Sequence, residues 1–215
     1  AAETRLSDVD GERGRLILCG HDVEELALRA SFAELCELFL DTGAADAAAA
    51  LARGRALGFD RLPRLGDALE AADGMDALRA AAAHLPDGAP PLEIVGALAT
   101  LAAAWSRRQA GATPLAPDAS AEHAADYLRM VRGAAPAAAA RALGAYLVTV
   151  LDHGMNASTF TARVVASTGS DLVSAIVAAI GALKGPLHGG APGPVLDMLD
   201  AIGAPARAAA WLEGE

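Results

Sequence analysis

Apolar residues recur three or four positions apart along most of the chain beyond residue 20. Such positions share one face of a helix, so this spacing predicts amphipathic helices. Glycine, proline, asparagine and aspartate separate the apolar segments and indicate turns. The pattern predicts helices over Asp22–Ala30, Phe32–Asp41, Ala44–Leu57, Met75–Leu85, Pro91–Arg108, Ala119–Arg132, Ala135–Leu151, Ala157–Ser167, Leu172–Lys184 and Pro194–Ile202, and one more from Pro205 to Glu215.

The first twenty residues follow a different pattern. Asp10-Gly11 is a hairpin turn signal, and the apolar run Leu16-Ile17-Leu18 follows it. We predict either a small β-hairpin or an extended arm over residues 1–20. The predicted fold class is therefore all-α, with a short β-hairpin or arm at its N-terminal end.

Composition supports the helical prediction. Hydrophobic residues make up 53% of the 215 residues and aromatic residues only 4%. The apolar content is mostly Ala, Leu and Val, and Ala and Leu are strong helix formers. The length suits one large domain or two small ones and allows a substantial core. Of the 17 basic residues, only Lys184 is a lysine.

Charge and cysteine content exclude several classes of function. The net charge is −10 and no basic stripe is present, which argues against nucleic acid as a partner. Cys19 and Cys36 fit no metal-ligand spacing, so no metal site is predicted, and Cys36 reads as a core thiol. The longest uncharged apolar stretch, Leu172–Leu183, is too short to span a bilayer, and the chain opens in polar sequence. We expect a cytoplasmic protein without a membrane partner.

His188 is the first of two histidines whose surroundings indicate chemistry. It lies in Lys184-Gly185-Pro186-Leu187-His188-Gly189-Gly190, directly after a long apolar helical run. Glycine and proline end a helix and form a tight turn in which backbone can approach a ligand closely. The helix N-terminus that follows favours neutral imidazole. A neutral histidine can donate one hydrogen bond to a carbonyl oxygen and stabilise the negative charge that develops there.

His153 has the opposite setting, because it follows a helix C-terminus in Asp152-His153-Gly154-Met155-Asn156. The partial negative charge at that end favours imidazolium, which suits an anionic ligand. Asn156 is predicted to cap the next helix. For both histidines the sequence leaves open a purely structural role at the surface or as a cap.

The remaining polar residues and the small residues receive structural interpretations. We expect His21, His84 and His123 to be solvated or structural. The hydroxyl residues Ser158, Thr159, Thr161 and Ser167 are predicted to lie in a helix without a paired base. Small residues on one later helix predict a tight helix–helix contact, either between subunits or inside a monomer core: Ala175, Ala178, Ala179 and Gly181.

Several segments, in order along the chain, resemble the citrate synthase family. Two matches are highly specific. His153-x-x-Asn156-Ala157-Ser158-Thr159 resembles the family's His-x-x-Asn-x-Ser motif, and Gly185-Pro186-Leu187-His188-Gly189-Gly190-Ala191 resembles its most characteristic string.

Two N-terminal matches are weaker, and each departs from the family pattern. Leu6–Gly11 and Gly20–Ala27 resemble the family's arm and first helix, with Cys19-Gly20-His21 where the family has Arg-Gly-Tyr. Met75–Arg79 resembles a Pro-Met-Asp-x-Leu-Arg helix start, with Gly74 in place of the proline.

The resemblance implies a fold and a reaction. It implies that residues 1–215 are the N-terminal portion of a multi-helical large domain of citrate-synthase type, without the small domain. The reaction is the condensation of acetyl-CoA with oxaloacetate to citrate and CoA, an acyl transfer of the tricarboxylic acid cycle. The CoA thioester is a substrate, and no separate cofactor is implied. By resemblance, His188 would hydrogen-bond the thioester carbonyl as the catalytic donor, and His153 and Asn156 would bind oxaloacetate.

The resemblance also implies a homodimer, and it implies that some catalytic residues belong to a segment beyond these 215 residues. Family members are homodimers, and the helices near residues 135–168 are the candidate interface. After the segment matching Leu199–Glu215, family members carry a further substrate histidine, the aspartate that removes the methyl proton, carboxylate-binding arginines and most of the CoA-binding small domain. A general base contributes about 10²–10⁴-fold to a rate. We therefore expect these 215 residues alone to lack useful synthase activity.

Two alternatives stay open at this point. One is 2-methylcitrate synthase, which uses propionyl-CoA. The other is a non-catalytic, citrate-synthase-like helical module for dimerisation or ligand sensing.

Overall fold

The structure, a computed structural model, describes residues 4–189 and 192–214. Within these residues the chain forms one small antiparallel sheet, in the order β1-β2-β3, and eleven α-helices. The strands are β1 (Ser7–Asp10), β2 (Arg15–Leu18) and β3 (His21–Asp22). The helices are α1 (Val23–Arg29), α2 (Phe32–Leu40), α3 (Ala44–Arg61), α4 (Gly74–Ala82), α5 (Pro91–Gln109), α6 (His123–Arg132), α7 (Ala137–Thr149), α8 (Ala157–Ala166), α9 (Leu172–Leu183), α10 (Pro192–Ile202) and α11 (Ala208–Gly214).

The N-terminal segment forms a hairpin rather than an extended arm. Strands β1 and β2 pair in antiparallel register from Ser7↔Leu18 to Asp10↔Arg15. The Asp10 side chain closes the turn by accepting a hydrogen bond from the Arg13 amide at 3.0 Å. Leu18 is fully buried in a cluster with Leu35 and Val148, so the hairpin is packed on α2 and α7. Residues 1–3 of the predicted arm lie outside the described residues.

The predicted helices are all present, and side-chain caps explain several of their starts. Asp22, Ser31, Asp73, Asn156 and Asp171 each accept a hydrogen bond from a backbone amide in the first turn of α1, α2, α4, α8 and α9. At Ser31 the capping box with Glu34 is complete.

Three helix ends differ from the prediction by about one turn. Helix α4 ends at Ala82 rather than Leu85. Helix α6 begins at His123 rather than Ala119, because Asp118 and Ser120 form a side-chain-stabilised turn instead. Helix α3 continues through Gly58 to Arg61, and two short 3-10 turns follow over Leu62–Arg64 and Ala68–Glu70. The last helix is a 3-10 turn over Pro205–Arg207 followed by α11, and Glu215 lies outside the described residues.

Helices α3 and α5 cross at the centre of the fold with their backbones in contact. A Cβ atom on Gly54 would lie 2.2 Å from the carbonyl oxygen of Glu93, and one on Gly96 would lie 2.2 Å from that of Leu51. Only glycine permits such an approach. This close contact between small residues lies within the chain. Ala175 of α9 is also buried within the chain, where α9 packs on α8 and α4.

Gly74 occupies the position at which the family pattern has proline. A Cβ atom there would lie 2.9 Å from the six-membered ring of Trp105. The indole is fixed, since its Nε1 donates to the carbonyl oxygen of Ala71 at 2.9 Å. Trp105 therefore fills the space that a proline ring at position 74 would need.

A buried polar group joins α3 to α6 and to the loop before α6. We call Arg55, His123, Asp126 and Arg129 the Arg55 cluster. Arg55 and Asp126 are 1% and 0% exposed, and Arg55 Nε lies 2.6 Å from Asp126 Oδ2. Arg55 Nη2 also donates to the carbonyl oxygens of Asp118 and Ala121. Among the described residues, no buried side-chain polar atom lacks a hydrogen-bond partner, so this desolvated charge is fully paired.

His123 belongs to this cluster and is structural, as expected. Its Nδ1 lies 3.3 Å from Arg55 Nη1, and its ring stacks on Phe32. Burial, together with the Arg55 charge, lowers the pKa of His123 to about 4. Cys36 is likewise a core thiol, and burial raises its pKa to about 11.

Candidate active site

The turn that carries His188 closes tightly on the end of α9. The His188 amide donates to the carbonyl oxygen of Gly185 at 2.9 Å, and the Gly189 amide donates to that of Leu183 at 2.8 Å. A Cβ atom on Gly189 would lie 2.0 Å from the Leu183 oxygen, so this position requires glycine. The predicted tight turn is therefore present. Gly190 and Ala191 of the characteristic string lie outside the described residues.

His188 is half-buried and contacts the first turn of α8. Its Nε2 lies 3.1 Å from the hydroxyl oxygen of Ser158. The Ser158 hydroxyl in turn lies 2.8 Å from Asn156 Oδ1, which also accepts the Thr159 amide at 2.9 Å. Asn156 caps α8, as predicted. The expectation that Ser158 has no paired base is wrong, because the turn after α9 brings His188 to it.

The direction in which the Ser158 hydroxyl donates determines the tautomer of a neutral His188 ring. Ser158 can donate either to Asn156 or to His188 Nε2. If it donates to Asn156, a neutral His188 carries its hydrogen on Nε2, and Nδ1 can only accept. If it donates to His188, Nδ1 carries the hydrogen and can donate to a ligand. Nδ1 is the ring nitrogen that does not face Ser158.

His153 lies on the exposed loop between α7 and α8. Asp152 shapes this loop, since its Oδ1 accepts the Gly154 amide at 2.7 Å and the Ser7 hydroxyl at 2.9 Å. Gly154 has a φ of +87°, which favours glycine. The N-terminal end of α8 is as near in sequence to His153 as the C-terminal end of α7, and the two ends carry partial charges of opposite sign. The predicted anion-binding role of His153 therefore rests on the family resemblance more than on a helix dipole.

Two cavities open beside His153. One of about 560 Å³ lies between His153 and the hairpin and is lined by charged residues that include Arg13, Arg15 and Asp22. A smaller one of about 140 Å³ is lined by His153, Asn156 and Thr159. Asn156, which caps α8, and the loop residue His153 therefore line the same small polar cavity.

The N-terminal end of α8 thus brings the three predicted site residues together. His153 precedes the Asn156 cap by three residues, and His188 is joined to that cap through Ser158. The sequence interpretation missed Ser158, although it stands inside the His-x-x-Asn-x-Ser motif. It also missed the Ser7–Asp152 contact, for which residues 145 positions apart give no local signal.

A further contact fixes the end of α9 to α4. The Lys184 ammonium donates to Asp76 Oδ1, and Arg79 Nη2 lies 3.1 Å from the same oxygen. The hydrogen bond from Lys184 lowers the pKa of Asp76. The His188 turn is therefore held against two helices, α8 and α4.

Neither a metal site nor a membrane span is found in the part of the chain that the structure describes. Over residues 4–189 and 192–214, no group of three or more His, Cys, Asp and Glu side chains could hold a metal ion. In the same ranges no helix combines the length and the apolar character needed to cross a membrane.

Comparison with known proteins shows the family of this chain. The family model described as citrate synthase, C-terminal domain, matches residues 1–215. The chain belongs to the citrate synthase family. The citrate synthase of Deinococcus radiodurans is 36% identical over 99% of this chain and 62% of the relative. The 2-methylcitrate synthase of Mycobacterium tuberculosis is 36% identical over 99% of this chain and 58% of the relative. The chain thus spans about three fifths of the length of these relatives.

A solved citrate synthase structure shares the fold. The enzyme from Thermoplasma acidophilum, in a ternary complex with carboxymethyl coenzyme A and oxaloacetate, aligns with a TM-score of 0.77 and 29% identity. The alignment covers all of this chain and 61% of that one. The prediction of an all-α fold of citrate-synthase type with a short N-terminal hairpin is confirmed. Citrate synthase relatives are enzymes of the acyltransferase type.

Proposed function

We propose that this chain carries part of an active site that condenses an acyl-CoA with a 2-oxo acid, with acetyl-CoA and oxaloacetate as the first candidates. The observation that carries the proposal is the contact between His188 and the capped first turn of α8, beside the His153 loop. The carboxymethyl coenzyme A and oxaloacetate bound by the Thermoplasma acidophilum relative support this substrate class.

His188 acts as the hydrogen-bond donor to the thioester carbonyl oxygen. When the methyl carbon loses a proton, negative charge develops on that oxygen, and a preorganised donor stabilises it. Nδ1 of His188 serves this role when the Ser158 hydroxyl donates to Nε2. Loss of one such donor costs about 10²–10³ in kcat in other enzymes.

His153 and Asn156 bind the oxaloacetate. Asn156 Oδ1 is already used by Ser158 and Thr159, so the amide nitrogen is the atom left for a carboxylate or keto oxygen. The small polar cavity between His153 and Asn156 has room for one such group. The CoA thioester is a substrate, and the reaction needs no separate cofactor.

Calorimetry with oxaloacetate tests the oxaloacetate site directly. His153→Ala is expected to abolish binding, since it removes a hydrogen-bond donor from the site. His84→Ala, at an exposed histidine outside the site, serves as the matched control and leaves binding unchanged. Binding that survives His153→Ala contradicts the role of that residue.

The activity of the 215 residues alone is a separate part of the proposal. The resemblance assigns the proton-removing aspartate to a segment beyond the one matching Leu199–Glu215. A coupled assay with acetyl-CoA and oxaloacetate is therefore expected to give no useful rate with this chain. Full activity at a measured mass of 21.6 kDa would contradict that expectation.

A second candidate substrate is propionyl-CoA. The identity of 36% to the 2-methylcitrate synthase equals that to the citrate synthase named above, so propionyl-CoA stays a candidate beside acetyl-CoA. The resemblance assigns most of the CoA-binding residues to a segment beyond the one matching Leu199–Glu215. A coupled assay that compares acetyl-CoA with propionyl-CoA on a chain including that segment therefore distinguishes the two.

Pairing of two copies through residues 135–168 completes the proposal. Exposed apolar residues lie on α7, on α8 and on the loop between them, and we call this set the α7–α8 face: Tyr146, Val150, Met155, Phe160 and Val164. Large exposed apolar patches indicate interaction sites. A non-catalytic dimerisation or ligand-sensing module would use the same face and would bind a dicarboxylate only weakly. The cytoplasmic location stays a prediction.

A further inference from the structure

The turn that carries His188 is held by three kinds of contact. Its backbone closes on the end of α9, and its ring contacts Ser158 of α8. The third contact is the ion pair between Lys184 and Asp76, residues 108 positions apart on α9 and α4. Lys184 caps the C-terminal end of α9 and stands four residues before His188.

We infer that the Lys184–Asp76 ion pair is a positioning device for His188. It fixes the end of α9 against α4, so that Nε2 of the ring stays within hydrogen-bond distance of Ser158. The inference rests on the proposed function, because it assumes that His188 does the chemistry. Lys184 and Asp76 are positioning residues that act through the His188 turn.

The turn is short and stiff enough to transmit such a constraint. Between Lys184 and His188 lie only three residues, one of them Pro186. Backbone hydrogen bonds from His188 to Gly185 and from Gly189 to Leu183 close the segment on both sides. A Cβ atom on Gly189 would lie 2.0 Å from the Leu183 oxygen, so the backbone of the turn passes close to the end of α9. A displacement at Lys184 is therefore carried to the His188 ring rather than absorbed by the loop.

The residue type at position 184 agrees with this role. Lys184 is the single lysine in a chain that otherwise uses arginine, with 17 basic residues in total. The Asp76 oxygen that it contacts is shared with Arg79. A compact ammonium can join a second cation on one carboxylate oxygen, whereas a guanidinium favours a bidentate approach that would compete with Arg79.

The Lys184–Asp76 ion pair is too exposed to contribute much to the stability of the fold. The Lys184 and Asp76 side chains are 31% and 36% exposed, and ion pairs of this kind contribute little to the free energy of unfolding. Loss of the pair should therefore be visible at the His188 ring while the melting temperature changes little.

The test uses the ring nitrogens of the 215-residue chain labelled with ¹⁵N-histidine. Long-range ¹H–¹⁵N spectra report the tautomer and hydrogen bonding of each of the five histidines, and the signal missing in His188→Gln identifies His188. Ser158→Ala defines the spectrum of a ring that has lost its partner. Lys184→Met and Asp76→Asn are both expected to move the His188 signals in the direction seen in Ser158→Ala. The signals of His21, His84 and His123 should stay in place.

Arg79→Met is the matched control, because it removes the other cation from the same Asp76 oxygen without touching the His188 turn. It is expected to leave the His188 signals unchanged, and Lys184→Arg is expected to shift them partly. Wild-type His188 signals in both Lys184→Met and Asp76→Asn would overturn the inference, as would an equal shift in Arg79→Met. Using two variants on different helices keeps the test valid if one fails to fold. The spectra are recorded without substrate, so failure of oxaloacetate binding would count against the proposed function and not against this inference.

Discussion

One hydroxyl hydrogen on Ser158 determines what the His188 ring can offer a ligand. Two acceptors, Asn156 Oδ1 and His188 Nε2, stand within 2.8 and 3.1 Å of the Ser158 oxygen. The helix cap and the candidate donor therefore compete for the same hydrogen. A carbonyl that approaches Nδ1 favours the tautomer in which Ser158 turns to His188, so substrate binding itself would select the donor form.

At the same scale, His123 makes stability depend on pH. Its pKa is about 4 in the folded chain against an ordinary value of 6.5, because burial and Arg55 disfavour its charged form. Between these values the unfolded chain binds a proton that the folded chain does not. Stability is therefore fully present above pH 6.5 and falls as the pH drops toward 4, by about 3 kcal/mol in total. Urea unfolding between about pH 7.5 and 4 measures this loss.

His123→Asn is the informative variant for that measurement. Asparagine can still accept from Arg55 but does not titrate, so the slope with pH should flatten over this window. His84→Asn, at an exposed position, should keep the wild-type slope. Identical slopes for the wild type and His123→Asn would show that other groups carry the effect.

Residues differ in how far the sequence predicts them. His153, Asn156 and His188 stand in recognisable motifs beside turn residues. Arg55 gives no such signal, because a single arginine in an alanine-rich helix is normally solvated. Only the tertiary packing of α3 against α6 reveals that it is buried and paired with Asp126.

At the scale of elements, the helices follow from periodicity, but the closeness of their packing does not. Gly54 and Gly96 look like weak points in helices when only the sequence is known. In the structure they are the sites where α3 and α5 touch through their backbones. The crossing of α3 and α5 therefore depends on two glycines, although glycine has a low helix propensity.

Gly96→Ala tests this crossing. Its Cβ atom would lie 2.2 Å from the Leu51 carbonyl oxygen, which belongs to backbone and cannot rotate away. We expect overpacking to cost about 3 kcal/mol, against a gain of about 1 kcal/mol in helix propensity. The free energy of unfolding in urea should fall by roughly the difference.

Gly193→Ala is the control for that substitution. Gly193 lies in α10, and a Cβ atom added there would have no atom within 4 Å, so only the propensity gain should remain. The control is expected to be neutral or slightly stabilising. A neutral Gly96→Ala would mean that α3 and α5 can separate freely, contrary to the packing described above.

Gly74 and Trp105 allow a test in which the sign of an effect changes. Proline is favourable at the first position of a helix, and Asp73 before it already has an extended backbone. Gly74→Pro should nevertheless destabilise the wild type, by about 1–3 kcal/mol, because the ring would collide with Trp105. In a Trp105→Leu background the same change should be neutral or stabilising. Urea unfolding of the four proteins gives the coupling, and additive effects would rule out the collision.

At the scale of the whole molecule, the α7–α8 face is the surface proposed to be covered by a second copy of the chain. Phe160 is 60% exposed and Tyr146 58% exposed, although both side chains are large and apolar. The sequence predicts this region as an interface by resemblance, whereas the exposure of its aromatic residues is known only from the structure. Sequence periodicity cannot distinguish a face that packs on its own chain from one that packs on another.

Phe160→Asp is expected to prevent dimer formation. A carboxylate buried in an apolar interface would lose its hydration without gaining a partner. Sedimentation velocity should show a dimer for the wild type and a monomer for the variant, with the same circular dichroism spectrum. Leu28→Asp, at an exposed apolar residue of α1 outside this face, should stay dimeric. A dimeric Phe160→Asp would place the interface elsewhere.

If His153 binds the substrate as proposed, the hydrogen bond between Ser7 and Asp152 gives strand β1 a part in ligand recognition. Asp152 Oδ1 holds the His153 loop by accepting a hydrogen bond from the Gly154 amide. The same oxygen also accepts one from the hydroxyl of Ser7 in β1. Cutting the chain after Ser7 would release that loop although every residue of the loop was kept. Ser7→Ala would remove the same hydrogen bond, so substrate affinity should be sensitive to a residue that never touches the ligand.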